Sequence, residues 1–159
     1  MKAGPLGTRA VWLAWSARVA TESGLGPSFT VGLPADFTVA AGSALSFHLA
    51  EARGAEGDAV DLTIEIADRA GLTGRVPLGR AGLLPPLSAR SVWKPPARAQ
   101  SRLRDTVFQY FEVPLSAFAE AVPALDVAHP AAVRLVFDRA PSGAVILDDL
   151  GFREAPAAD

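Results

Sequence analysis

The chain has no cysteine, one methionine, one tyrosine and two histidines among its 159 residues. The missing cysteines exclude a disulfide framework, a thiolate nucleophile and a thiolate zinc site. They say nothing of compartment. No stretch approaches the roughly 20 apolar residues needed to span a bilayer, so no membrane insertion is expected. The apolar run Val11-Trp12-Leu13-Ala14-Trp15 follows Lys2 and Arg9, is too short for a signal-peptide core and is soon broken by Arg18. An export signal, if the protein is exported, is therefore expected to lie outside this chain. Excess charge is small too, with 15 Lys and Arg against 17 Asp and Glu. The net value of −2 gives no global pull towards nucleic acid or anionic lipid.

What is present is an ordinary globular composition, half hydrophobic and one-fifth charged, long enough to bury roughly 70% of its unfolded surface. The 14 glycines and 13 prolines punctuate a series of short alternating segments. Thr8 to Trp15 is the first strand candidate. Within it Trp12 and Trp15 differ in parity, which sends one to the core and leaves the other free for the surface. Phe29 to Leu33 alternates next, and Ser43 to Glu51 alternates more clearly, with Leu45, Phe47 and Leu49 opposite Ser46, His48 and Ala50. Val60 to Ala67 is the strongest strand. Val60, Leu62, Ile64 and Ile66 oppose Asp61, Thr63 and Glu65, the pattern of a sheet with one buried and one wetted side. Asp68 to Gly71 supplies turn chemistry, and Leu72 to Leu78 returns as a hairpin partner.

Residues 79–104 depart from this pattern, with four prolines, no acid and six cations, among them Arg90 and Lys94 on either side of Trp93. A loop this long in a compact domain is usually functional or mobile. Asp105 to Val113 resumes a strand that carries Tyr110. Ser116 then offers a cap for one short helical turn, which Pro123 stops. Near the C-terminus Val133 to Asp138 alternates, Pro141-Ser142-Gly143 turns the chain, and Ala144 to Phe152 runs back. Val145 and Leu147 have one parity there and Leu150 and Phe152 the other, so a bulge or bend at Asp148-Asp149 is required for all four to face the core. About eight strands and one short helical turn make an all-β, two-sheet antiparallel sandwich. Residues 1–153 form its single domain and 154–159 a tail.

Catalytic patterns are weak. There is no G-x-S-x-G elbow, and neither His48 nor His129 is spaced for a triad. Asp61 and Glu65 share a strand face, but four residues at ~3.3 Å separate their backbones by about 13 Å, beyond a glycosidase carboxyl pair. Phosphate-cradling glycine loops are absent. The domain is expected not to be an enzyme.

Three segments in order, FEVPLSAF (Phe111 to Phe118), VRLVFD (Val133 to Asp138) and SGAVILDDLGF (Ser142 to Phe152), resemble the C-terminal half of galactose-binding-like β-sandwich domains. LTIEIADRAGLTGRV (Leu62 to Val76) fits their central hairpin. These are the jelly rolls of many carbohydrate-binding modules appended to secreted bacterial hydrolases, and the resemblance covers about the last two-thirds of the chain. It implies a non-catalytic accessory module, secreted or at the cell envelope. Its partners would be a polysaccharide or oligosaccharide and a catalytic domain of the same parent chain. It also implies a structural Ca2+, with Asp148 at the matching position and Asp149 beside it. Calcium wants six to eight oxygens, which this pair alone does not supply.

Sugar rings stack on exposed Trp or Tyr, with polar groups fixing the hydroxyls. The candidates are Trp93 with its neighbours Arg90 and Lys94, Tyr110 on its strand, and Trp12. The alternative is a docking or structural module of the same fold that binds no glycan. Nucleic acid is not expected, because its readers interleave aromatics with their cations and Trp93 stands alone.

Overall fold

The computed structural model describes residues 10–16, 26–40, 42–52, 60–84 and 107–154. Eight strands form: β1 (Val11–Ser16), β2 (Ser28–Gly32), β3 (Ala44–Glu51), β4 (Thr63–Asp68), β5 (Thr73–Pro77), β6 (Gln109–Pro114), β7 (Pro130–Val136) and β8 (Ser142–Arg153). One helix, α1 (Leu115–Ala121), and a single 3-10 turn at Leu78–Arg80 complete the described structure. The strands pair antiparallel in two sheets, β1-β8-β3-β6 and β2-β7-β4-β5. The chain passes from one sheet to the other at every connection between consecutive strands except the β4–β5 hairpin. This is the jelly-roll interleaving that the sequence predicts.

Alternation decides what fills the space between the sheets. In the first sheet Leu45, Phe47 and Leu49 of β3 sit in register with Val113, Phe111 and Leu147, and all are buried. Phe47 and Phe111 stack with centroids 5.5 Å apart. The second sheet contributes Ile64 and Ile66 of β4, flanked by Val76, Leu135 and Val133. Each such side chain contributes roughly 1.5–3 kcal/mol on burial, and a dozen or so together supply the main driving force.

The parity change in β8 is resolved by a bulge. Asp148 pairs with His48 and Gly151 with Ser46, so Asp149 and Leu150 together face the single residue Phe47. Asp149 takes φ +51°, the left-handed conformation of the first bulge residue. Val145 and Leu147 before it, and Leu150 and Phe152 after it, all pack on the core. The β4–β5 turn also follows its sequence. The Asp68 carboxylate accepts the Leu72 N–H at 2.9 Å, and Gly71 has φ +85°. The other Asp68 oxygen accepts the Asp126 N–H at 3.1 Å, tying this hairpin to the approach to β7.

Three expectations need correction. The polar side of β4 is not wetted. Glu65 is only 4% exposed, held by the Arg134 guanidinium at 2.6 Å and Arg75 at 3.3 Å. Register explains it, since Thr30, Arg134, Glu65 and Arg75 form one row across all four strands. Long arginine stems lying over the sheet cover what alternation alone exposes. Ser116 does not cap α1 either. Pro114 occupies the N-cap position without a side-chain bond, and the Leu115 N–H reaches the Ser43 carbonyl at 3.0 Å. Gly143, finally, lies inside β8 rather than in the turn, directly opposite Trp15.

That glycine makes room for an aromatic anchor. Trp15 stacks on Phe137 at 4.3 Å and donates its indole N–H to the Ala140 carbonyl at 3.1 Å. A Cβ on Gly143 would sit 2.4 Å from the Trp15 ring. Gly143→Ala is therefore expected to destabilise the fold by about 1–3 kcal/mol in chemical denaturation. Gly32→Ala, which meets nothing within 4 Å, should stay within about 0.5 kcal/mol of the parent. Equal losses in the two variants would contradict this packing.

Candidate ligand-binding face

Strand register places the outward side chains of the first sheet in rows. Trp12 of β1 lines up with Ile146 of β8 and Ala50 of β3. The next row holds Asp148, His48 and Tyr110, and the one after it Gly151, Ser46 and Glu112. The two central strands thus present mostly short side chains, with Ala50, Ala144 and Ile146 buried. The edge strands carry the large exposed ones, Trp12 at 51% and Tyr110 at 42%. β1 and β6 are three strand spacings apart and the two residues stand one outward row apart, which separates their backbones by roughly 16 Å across the sheet.

Between the rings lies a polar group. The bulge puts the Asp149 carboxylate on this outer face, 3.5 Å from Nδ1 of His48, with side-chain exposures of 31% and 28%. The Asp149 N–H is satisfied by the Asp148 carboxylate at 3.0 Å. The His48 ring lies 5.3 Å from the Tyr110 ring at 53°. Tyr110 is itself fixed, because its hydroxyl donates to Glu112 at 2.8 Å. The Arg153 guanidinium joins that end of the face. The Tyr110 hydroxyl beside it, and then the charges of Tyr110 and Glu112, hold its pKa above the ordinary arginine value. An apolar floor, two rings at the sides and hydrogen-bonding groups between them suit a flat ligand that has apolar faces and a polar rim.

Of the residues expected from the sequence, Trp12, Tyr110 and Asp148 come together on this face. Trp93, Arg90 and Lys94 lie outside the described residues. The parity argument for the tryptophans holds, with Trp15 in the core at 7% exposure and Trp12 outside. Sequence reasoning missed Asp149, Glu112 and Arg153 as members of the face. The alternation of β3 already placed His48 on its polar side. Asp149 was traceable only through the bulge, since a regular strand sends neighbouring side chains to opposite faces.

The same geometry bears on catalysis and metal binding. His129 is engaged with Asp126, Nδ1 to carboxylate 2.8 Å, in the turn before β7. Asp61 accepts the N–H groups of Leu62 and Gly79 and pairs with Arg139, while Glu65 is enclosed by its two arginines. Glu112 and the acidic pair of β8 are kept on opposite sides of β3. Among the described residues no group of three or more His, Asp or Glu side chains is placed to hold a metal ion. A separate cleft of about 260 Å³ is lined by Val76, Arg80, Glu112, Val113, Ser116 and Glu120, among others, with Arg80 and Glu120 paired at 2.8 Å. It falls below the roughly 300–1,000 Å³ of ordinary small-molecule sites.

No protein-family model matches the chain. No curated protein matches it either. Among solved structures it is similar to a family 30 carbohydrate-binding module of a cellulosomal cellulase of Clostridium thermocellum, at 13% identity and TM-score 0.48 over 71% of this chain. Two further structures of family 30 carbohydrate-binding modules align at 14% and 15% identity with TM-scores of 0.49 and 0.46, over 72% and 74% of this chain. The chain spans 54–56% of the length of these structures. At this identity the likeness concerns the fold alone.

The hydrogen bond from His129, first, and its charge, next, lower the Asp126 pKa below the ordinary 3.8 despite an opposing desolvation effect. A carboxyl depressed in the folded state adds stability that is present above its unfolded pKa and lost as pH falls through the folded one. NMR titration should therefore find Asp126 below the usual aspartate range, and His129→Ala should raise it. An unchanged Asp126 titration in the variant would refute the pairing.

Proposed function

We propose that this domain is a non-catalytic, carbohydrate-binding module whose ligand lies across the outer face of the β1-β8-β3-β6 sheet. The observation that carries the reading is the placement of Trp12 and Tyr110, both exposed, on one sheet face on either side of the His48–Asp149 pair. Pyranose rings offer an apolar C–H face for stacking and a rim of hydroxyls for hydrogen bonding, and this face supplies a partner for each. The carboxylates weighed for catalysis support the same reading, because Asp61 and Glu65 are engaged in backbone and arginine contacts.

On this reading the module belongs to a larger hydrolase, bacterial and secreted, and delivers a neighbouring catalytic domain to polysaccharide. Trp93, Arg90 and Lys94 are proposed to add contacts from residues 79–104. The competing reading, a docking module of the same fold, draws on Val11 and Trp12, which expose an apolar, uncharged edge at β1.

Isothermal titration with a panel of soluble polysaccharides separates the two. Binding to at least one glycan is expected. Trp12→Ala and Tyr110→Ala should each weaken it about tenfold or more, as truncation of a buried aromatic anchor does. Trp93→Ala in parallel measures what residues 79–104 contribute. No binding across the panel would overturn the glycan reading. Co-purification with other domains of the parent chain would then support docking.

A further inference from the structure

Strand β8 needs a residue in the left-handed conformation at its bulge, and glycine meets that need without steric cost. The chain has Asp149 there, at φ +51°. The fold therefore demands the backbone conformation but not the carboxylate. Among the described residues the side chain makes no hydrogen bond, and His48 Nδ1 lies 3.5 Å from it. It is partly exposed and stands between the flanking rings of Trp12 and Tyr110. A carboxylate has about four lone-pair sites, so it retains capacity for ligand donors. The adjacent His48 Nδ1 also lacks a hydrogen-bond partner but is itself buried, so the ring meets a ligand through its other edge.

We infer that Asp149, with His48, is the hydroxyl-recognition element of this face and selects neutral glycans over uronate-bearing ones. The inference rests on the glycan reading above. Sugar hydroxyls are donors, and a carboxylate receives them in charge-assisted bonds that are shorter and stronger than neutral ones. A neutral imidazole has one donor and one acceptor nitrogen, and with Nδ1 buried the ligand is left the other, Nε2. A sugar carboxylate brought to the same position would meet Asp149 as a like charge. Among the described residues the guanidinium of Arg153 on this face is engaged with Tyr110 and Glu112 at the β6 side.

The test compares the unmodified chain with Asp149→Gly by isothermal titration against barley β-glucan, xylan and galactomannan as neutral polymers and polygalacturonate as the anionic one. Thermal unfolding of each protein runs alongside. Asp149→Gly is expected to hold or raise the melting temperature, since glycine suits the bulge. It should weaken binding of the preferred neutral polymer by about tenfold, and the unmodified chain should prefer a neutral polymer to polygalacturonate. Should Asp149→Gly melt lower, Asp149→Asn carries the test. It tolerates the same backbone and keeps a weaker, neutral acceptor, so a loss of about threefold or more is expected. Binding by the variant within twofold of the unmodified chain, or a preference for polygalacturonate, would overturn the inference and leave the glycan reading in place. An unmodified chain that binds none of the four polymers would overturn both.

Discussion

The bulge in β8 is the constraint on which the first sheet depends. β8 pairs with β1 along its first half and with β3 along most of its length. It is a 12-residue strand whose apolar parity changes midway. A regular strand would send either Val145 and Leu147 or Leu150 and Phe152 into solvent. One extra residue, in the left-handed conformation at Asp149, keeps all four on the core. The energetic comparison is one-sided. A left-handed non-glycine residue costs roughly 1–2 kcal/mol, whereas exposing two large apolar side chains forfeits about 3–6 kcal/mol.

The same bulge decides what the outer face offers. By inserting a residue it brings the Asp149 carboxylate beside His48, on the side already occupied by Asp148, Tyr110 and Trp12. Packing and surface chemistry are thus two consequences of one backbone event. The other sheet shows a different use of its outer side. There Glu65 is covered by Arg134 and Arg75, and Thr63 donates to Asp138 at 2.7 Å, so the charges satisfy one another. A face closed by its own ion pairs offers less to a ligand than one where a partly exposed carboxylate, that of Asp149, accepts no hydrogen bond among the described residues. This contrast supports the proposed binding face on β1-β8-β3-β6.

Local patterns were readable where they dominate the energetics. Alternation in β3, β4 and β7 located both inner faces, the parity of Trp12 and Trp15 separated surface from core, and Asp68 with Gly71 announced the hairpin. The mismatch of Val145 and Leu147 with Leu150 and Phe152 also required the bulge. What stayed hidden depends on register between distant segments. Glu65 meets Arg134 69 residues away, and Gly143 lies opposite Trp15 only because β1 adds to β8. No periodicity within a strand encodes such rows. Asp149 was visible as half of an acidic pair, yet the face it occupies follows from which residue of the bulge turns left-handed. Trp93, Arg90 and Lys94 fall outside the described residues, so their part in the site rests on sequence alone.

The central claim is that one face of this jelly roll binds glycan between Trp12 and Tyr110, with Asp149 and His48 at its middle. Amide and side-chain NMR shifts followed during titration with a soluble oligosaccharide test it most directly. The largest changes should fall on the Trp12 indole, His48, Tyr110 and the Asp148–Asp149 amides, and the β2-β7-β4-β5 face should stay still. Changes centred on Arg75, Arg134 and Glu65, with the first face unmoved, would contradict the account.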